Sequence, residues 1–269
     1  MTSSAFEAPR RLSFDRSLVS DFLRALLDIP VYVLGPIALY MKPPLSTARS
    51  IFPMTADDEL LMPLAAHDFL DWAEKRLRSI GFGGAVHAVS RQVATVTSFV
   101  SLLEHPQDGS LAIAFVSQIN NVPRPTIHLI FHSGFADGTI VATSNSRLVS
   151  RTPSLPEMKS LSFPVDDPVA LYDLHRIRAQ DRARRTVRVP MTRGADPLEY
   201  QHQENIRVFD NWIRHGYYRR IANDKLRHTM RGAALSAWRG LFPWKRMTER
   251  RNASERDAVL RRYHGSMGR

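Results

Sequence analysis

His128 and His132 stand four residues apart, the spacing at which two histidines on one helix can hold a single metal ion. The run that carries them, Thr126 to His132 (TIHLIFH), alternates apolar and polar residues and reads instead as a β-strand. On a strand rising about 3.3 Å per residue the two rings share a face but sit about 13 Å apart, too far for one ion. The glutamate of H-E-x-x-H is also missing, so no metal site is expected. With Asp137 in the following turn, His128 and His132 could instead line a polar groove, an enzyme-like cleft on the sheet. Ile127, Leu129 and Phe131 point the other way and read as core.

Other catalytic patterns are missing. Ser133 follows His132, but no G-x-S-x-G elbow surrounds it. No phosphate-binding G-x-x-x-x-G-K-[ST] occurs, and Gly81, Gly83 and Gly84 read as a helix stop and a strand entry, not a dinucleotide loop. Asp57, Asp58 and Glu59 read as a solvated loop. The chain has no cysteine, which removes disulfides, thiolate metal sites and thiol nucleophiles and fits a reducing compartment. No cofactor is expected, and the balance leans away from an enzyme.

Charge carries more information. The chain of 269 residues has a net charge of +11. Residues 1–175 hold 14 Lys/Arg against 17 Asp/Glu, a net −3, whereas residues 176–269 hold 23 against 9, a net +14. This asymmetry points to an anionic partner for the last third. Within it, residues 230–246 (MRGAALSAWRGLFPWKR) place Ala234, Trp238, Leu241 and Phe242 on one side of a helix, with Arg231, Arg239, Lys245 and Arg246 supplying charge. Trp238 and Trp244 carry amphipathic rings suited to a wet–dry boundary. Such a helix reads as an interfacial membrane element. Lys245, Arg246, Arg250 and Arg251 would each gain about 1 kcal/mol near anionic headgroups.

A second apolar signal lies at Ile29 to Met41 (IPVYVLGPIALYM). Its 13 residues, with Pro30 and Pro36, fall short of the roughly 20 needed to cross a bilayer. It lacks the flanks and cleavage site of a signal peptide, so it is expected either inside the fold or at the membrane interface. The leading expectation is a non-enzymatic cytoplasmic protein bound to the inner membrane face through both segments. A rival is nucleic-acid binding. Tyr217 to Met230 reads as a hairpin resembling the wing of winged-helix domains, with Arg219, Arg220 and Arg227 facing phosphates. No basic recognition helix precedes it. The composition fixes neither a small-molecule ligand nor an oligomeric state.

The elements that position these residues read as an α+β fold. Helical spacing predicts helices over 17–28, 64–80, 167–183 and 199–215. Residues 85–104, 110–119, 126–132 and 139–145 read as strands joined by tight turns such as Asp137-Gly138, an antiparallel meander of about four or five strands. Lys42–Pro63, 146–165 and 184–198 read as connections. A helical region follows Arg231, is broken near Pro243, and continues as a charged helix towards Arg262. Three regions result: a leader and linker over 1–63, a sheet core over 64–183, and a basic region over 184–269.

The series Asp137-Gly138-Thr139, Thr143-Ser144-Asn145-Ser146, Phe163-Pro164, Asp167-Pro168 and Leu171-Tyr172-x-Leu174-His175-Arg176 resembles a group of uncharacterised bacterial proteins. Gly216-Tyr217, Thr229-x-Arg231-Gly232-Ala233 and Trp238-Arg239-x-Leu241 resemble the same group, over roughly residues 95–245. The resemblance implies no known activity and no catalytic residues. It implies that the sheet and the C-terminal region form one unit.

Overall fold

The computed structural model describes residues 29–47, 51–93, 96–119, 125–146, 154–239, 241 and 244–267. Its main sheet has eight strands: β2 (Ile51–Pro53), β3 (Val86–Val93), β4 (Val96–Glu104), β5 (Leu111–Ile119), β6 (Thr126–Phe135), β7 (Ile140–Ser144), β8 (Met158–Ser162) and β9 (Arg188–Val189). They run in sequence order from β2 to β8. β9 pairs with the far end of β6, in line with β5. All pairs are antiparallel except β7 with β8, which are parallel.

The expected meander of four or five strands is therefore too small and too uniform. β2, β8 and β9 arise from the three segments read as connections. At three, five and two residues they are too short for a period of two to stand out, and partners distant in sequence hold them. The acids read as a solvated loop also take on structure. Thr55 caps α2 (Ala56–Leu60) in a reciprocal capping box with Asp58, and Asp58 is buried and paired with Arg91.

Both faces of the sheet are covered. On the first, Phe99, Leu103, Ala112, Ala114, Leu129 and Phe131 pack against α3 (Leu64–Arg78) and α4 (Pro168–Ala183). α4 starts where the sequence places it: the Asp167 carboxylate accepts from the Ala170 N–H at 3.3 Å, and Pro168 fills the first turn. On the second face, Val100, Leu102, Leu111 and Ile113 meet Leu198 of α5 (Pro197–Arg214). Burial on both sides explains why β5 reads as a nearly unbroken apolar run (LAIAFV).

A second, three-stranded sheet orders β1 (Leu45–Ser46), β11 (Lys225–His228) and β10 (Tyr218–Ala222). The segment expected as a linker thus places β1 in one sheet and β2 in the other. α1 (Ile29–Tyr40) packs on α6 (Met230–Arg239), and α7 (Trp244–Met267) follows. The helix expected over 17–28 lies outside the described residues.

Candidate functional site

α6 docks through small residues. Gly232, Ala233, Ser236 and Ala237 are its buried positions. The Thr229 hydroxyl opens the helix by accepting from the Gly232 N–H at 2.8 Å and donating to the Gly216 carbonyl at 2.6 Å. Gly232 lies so close to the chain at Tyr217 that a Cβ there would sit 2.0 Å from the Tyr217 carbonyl oxygen. The Arg239 guanidinium lies 5.4 Å from the centroid of the buried Tyr217 ring.

α1 contains no charged residue. Packing on α6 leaves Leu34 60% exposed, Ile37 43% and Met41, just beyond the helix, 75%. These three stand at i, i+3 and i+7, one helical stripe facing away from the protein. α6 adds exposed Met230, Arg231, Trp238 and Arg239, and α7 adds exposed Trp244, Lys245, Met247, Arg250 and Arg251. Arg246 is half-buried. Phe242, expected on the same surface, lies outside the described residues.

The hairpin of β10 and β11 turns at Asn223-Asp224. Arg219 and Arg227 are exposed and directly opposite one another, whereas Arg220 donates to the Asn223 carbonyl at 2.9 Å and lies 3.7 Å from Asp210. The helix before it, α5, sets Glu199, Glu204 and Asp210 against Arg207 and Arg214 and packs on the main sheet. It lacks the charge and the freedom of a recognition helix.

His128, His132 and Asp137 do not converge. His128 is half-buried, its ring stacked on Phe115 with centroids 4.7 Å apart. His132 is buried on the same second face, with no partner for Nδ1 among the described residues. Burial pushes its pKa down to about 4, so it is neutral at pH 7. Asp137 turns the other way, to Arg182 of α4 on the first face, and accepts from the Thr139 N–H at 3.0 Å. The Thr139 N–H, then Arg182, hold its carboxyl below the usual range.

A polar layer between α4 and the sheet was not foreseen. His175, fully buried, shares a 2.8 Å hydrogen bond from Nε2 with Ser133 Oγ and a 3.0 Å one from Nδ1 with Thr143 Oγ1. Ser133 also meets Ser110 Oγ at 2.9 Å and accepts from Arg188 at 2.5 Å. Arg188 pairs with Asp108 at 2.9 Å, and the Tyr172 hydroxyl donates to Asp108 at 2.5 Å. Burial alone would raise the Asp108 pKa, but Tyr172, the Ser110 N–H and Arg188 outweigh it and hold it below the usual range. Ser133 and His175 have the contact of a nucleophile and its base. However, both are 0% exposed, and the second imidazole nitrogen meets a threonine where a triad needs a carboxylate. Burial, then the nearby Arg178 and Arg188, keep the His175 imidazole uncharged. The layer ties α4 to the sheet; it does not present a reactive hydroxyl. Its sequence signal was His175 inside an apolar helical stripe, with Ser133 and Thr143 at core-facing strand positions.

No family model, curated protein or solved structure matches the chain. The resemblance noted above therefore rests on its residues alone. Among the described residues, no group of three His, Asp or Glu could hold a metal ion, and no helix is long and apolar enough to cross a membrane.

Proposed function

We propose that this protein associates with an anionic membrane surface, using α1 for apolar contact and α6 with the start of α7 for charge. One observation carries the reading. The α1 stripe Leu34, Ile37 and Met41 faces outward beside a helix bearing exposed Trp238, Arg231 and Arg239. A soluble helix normally turns its apolar side chains inward, and an outward stripe flanked by cations fits the headgroup boundary. Inserting a handful of half-exposed side chains would contribute several kcal/mol at about 0.8 kcal/mol per buried CH₂. Each nearby cation would add about 1 kcal/mol, screened by salt. The corresponding location is the cytoplasmic face of a membrane.

The test is co-sedimentation with phosphatidylglycerol vesicles and with neutral phosphatidylcholine vesicles. Binding to the anionic vesicles alone, weakened tenfold or more by Leu34→Glu/Ile37→Glu and by Trp238→Ala/Trp244→Ala, is expected. Absence of binding at low salt, or binding that neither pair of changes affects, would overturn the reading.

A second reading, nucleic-acid binding, draws on the exposed pair Arg219 and Arg227 at the hairpin. It predicts a gel shift with steep salt dependence that Arg219→Ala/Arg227→Ala abolishes and the tryptophan changes leave intact.

A further inference from the structure

A shallow pocket of about 300 Å³, open to solvent along one side, lies between α4, α7 and the edge of the main sheet. Val141 of β7 and Lys159 of β8 come from the sheet. Arg178, Asp181 and Arg182 of α4, with Arg185 just beyond its end, form one side, and Glu255, Ala258, Val259 and Arg262 of α7 the other. Five cations line it against two acids, and Asp137 just outside takes a third cation, which leaves an excess of +2.

The two acids are already engaged. Glu255 lies 3.3 Å from Arg178, and Asp181 pairs with Arg262. Arg182 turns to Asp137 outside the pocket, and its Nε is buried with no acceptor among the described residues. Lys159 and Arg185 are exposed and form no ion pair among the described residues. The Arg178 side chain is only 5% exposed and is fixed by the Ala142 and Lys159 carbonyls and the Thr143 hydroxyl. With Glu255 these partners take both terminal nitrogens of Arg178, so it adds a fixed charge at the floor, and Lys159 and Arg185 are the cations open to an incoming anion.

From this arrangement we infer that the pocket binds a small phosphorylated organic molecule. Arginine forks match the oxygens of a phosphate, and an ammonium adds a point charge. The pocket lies at the small end of ligand sites, and Val141, Ala258 and Val259 offer a short apolar wall beside the charges. The inference rests on residues other than those of the membrane surface, so either can fail alone. The phosphate could belong to a soluble ester or to a lipid headgroup.

Isothermal calorimetry on the full chain, with inorganic pyrophosphate and with dihexanoyl phosphatidic acid, tests this. Micromolar binding of at least one probe is expected, and the preferred probe tells which source the pocket suits. Lys159→Ala/Arg185→Ala should weaken it tenfold or more without moving the ligand-free melting temperature. Arg193→Ala/Arg214→Ala, two exposed cations outside both the pocket and the membrane surface, should leave it unchanged. Affinity weaker than about 1 mM for both probes, or equal loss in both double variants, would overturn the proposal, the latter by showing diffuse attraction to a basic surface.

Discussion

Acidification should unfold this protein through its buried histidines. The His132 pKa falls to about 4 in the folded chain, against about 6.5 when unfolded. Between these values the unfolded state holds a proton that the native state refuses. The His132 contribution therefore drops as pH falls through this window and levels off below about 4, where carboxylates held below the usual range, such as Asp108, continue the loss. Per histidine the slope approaches about 1.4 kcal/mol per pH unit, and from pH 7 to pH 5 the loss for His132 comes to about 2 kcal/mol. His175, driven down by burial and by Arg178 and Arg188, acts in the same direction. His87 opposes them: its bond to Glu74 raises its pKa, so its contribution is present at acid pH and fades as pH rises. His87 is 45% exposed, and solvent screens that term. The assay is urea unfolding at half-unit steps from pH 7.5 to 4.5, repeated for His132→Leu. The variant removes a buried unpartnered nitrogen, so it should hold its stability at pH 7 and lose about one proton of pH dependence. An unchanged slope in His132→Leu would refute the assignment of the acid sensitivity to that ring.

Two further changes probe the docking and the polar layer. Gly232→Ala, which at an open helix position would gain about 0.5–1 kcal/mol, should instead cost about 1–3 kcal/mol or more, because the new methyl meets the Tyr217 backbone; chemical denaturation gives the sign. The same variant should weaken vesicle binding by displacing α6. Ser133→Ala should cost about 1–3 kcal/mol by leaving Arg188 and His175 short of a partner, again read by denaturation, and an undiminished stability would mean the layer is not what ties α4 to the sheet.

Much of the local structure was legible in the chain. The strand over Leu111–Ile119, the turn at Asp137-Gly138, the helix behind Asp167-Pro168 and the hairpin at Asn223-Asp224 each follow from nearby residues. The alternation in β6 also set His128 and His132 on one face and Leu129 and Phe131 in the core on the other, but Ile127, expected in the core with them, is 40% exposed near the start of the strand. What the alternation could not tell is that α4 sits across the first face, drawing Asp137 away to Arg182.

Sequence alone determined the α+β class, helices α3, α4 and α5, the long strands and the basic asymmetry of the last third, because periodicity, caps and charge act over a few residues. Only the tertiary structure decided the three short strands β2, β8 and β9, the seating of α1 on α6, the layer around His175 and the pocket at Arg178. Each joins residues far apart in the chain: β2 with β3, Gly232 with Tyr217, His175 with Ser133, Arg178 with Glu255. Such contacts depend on chain closure and on what packing leaves buried, and no local pattern encodes either.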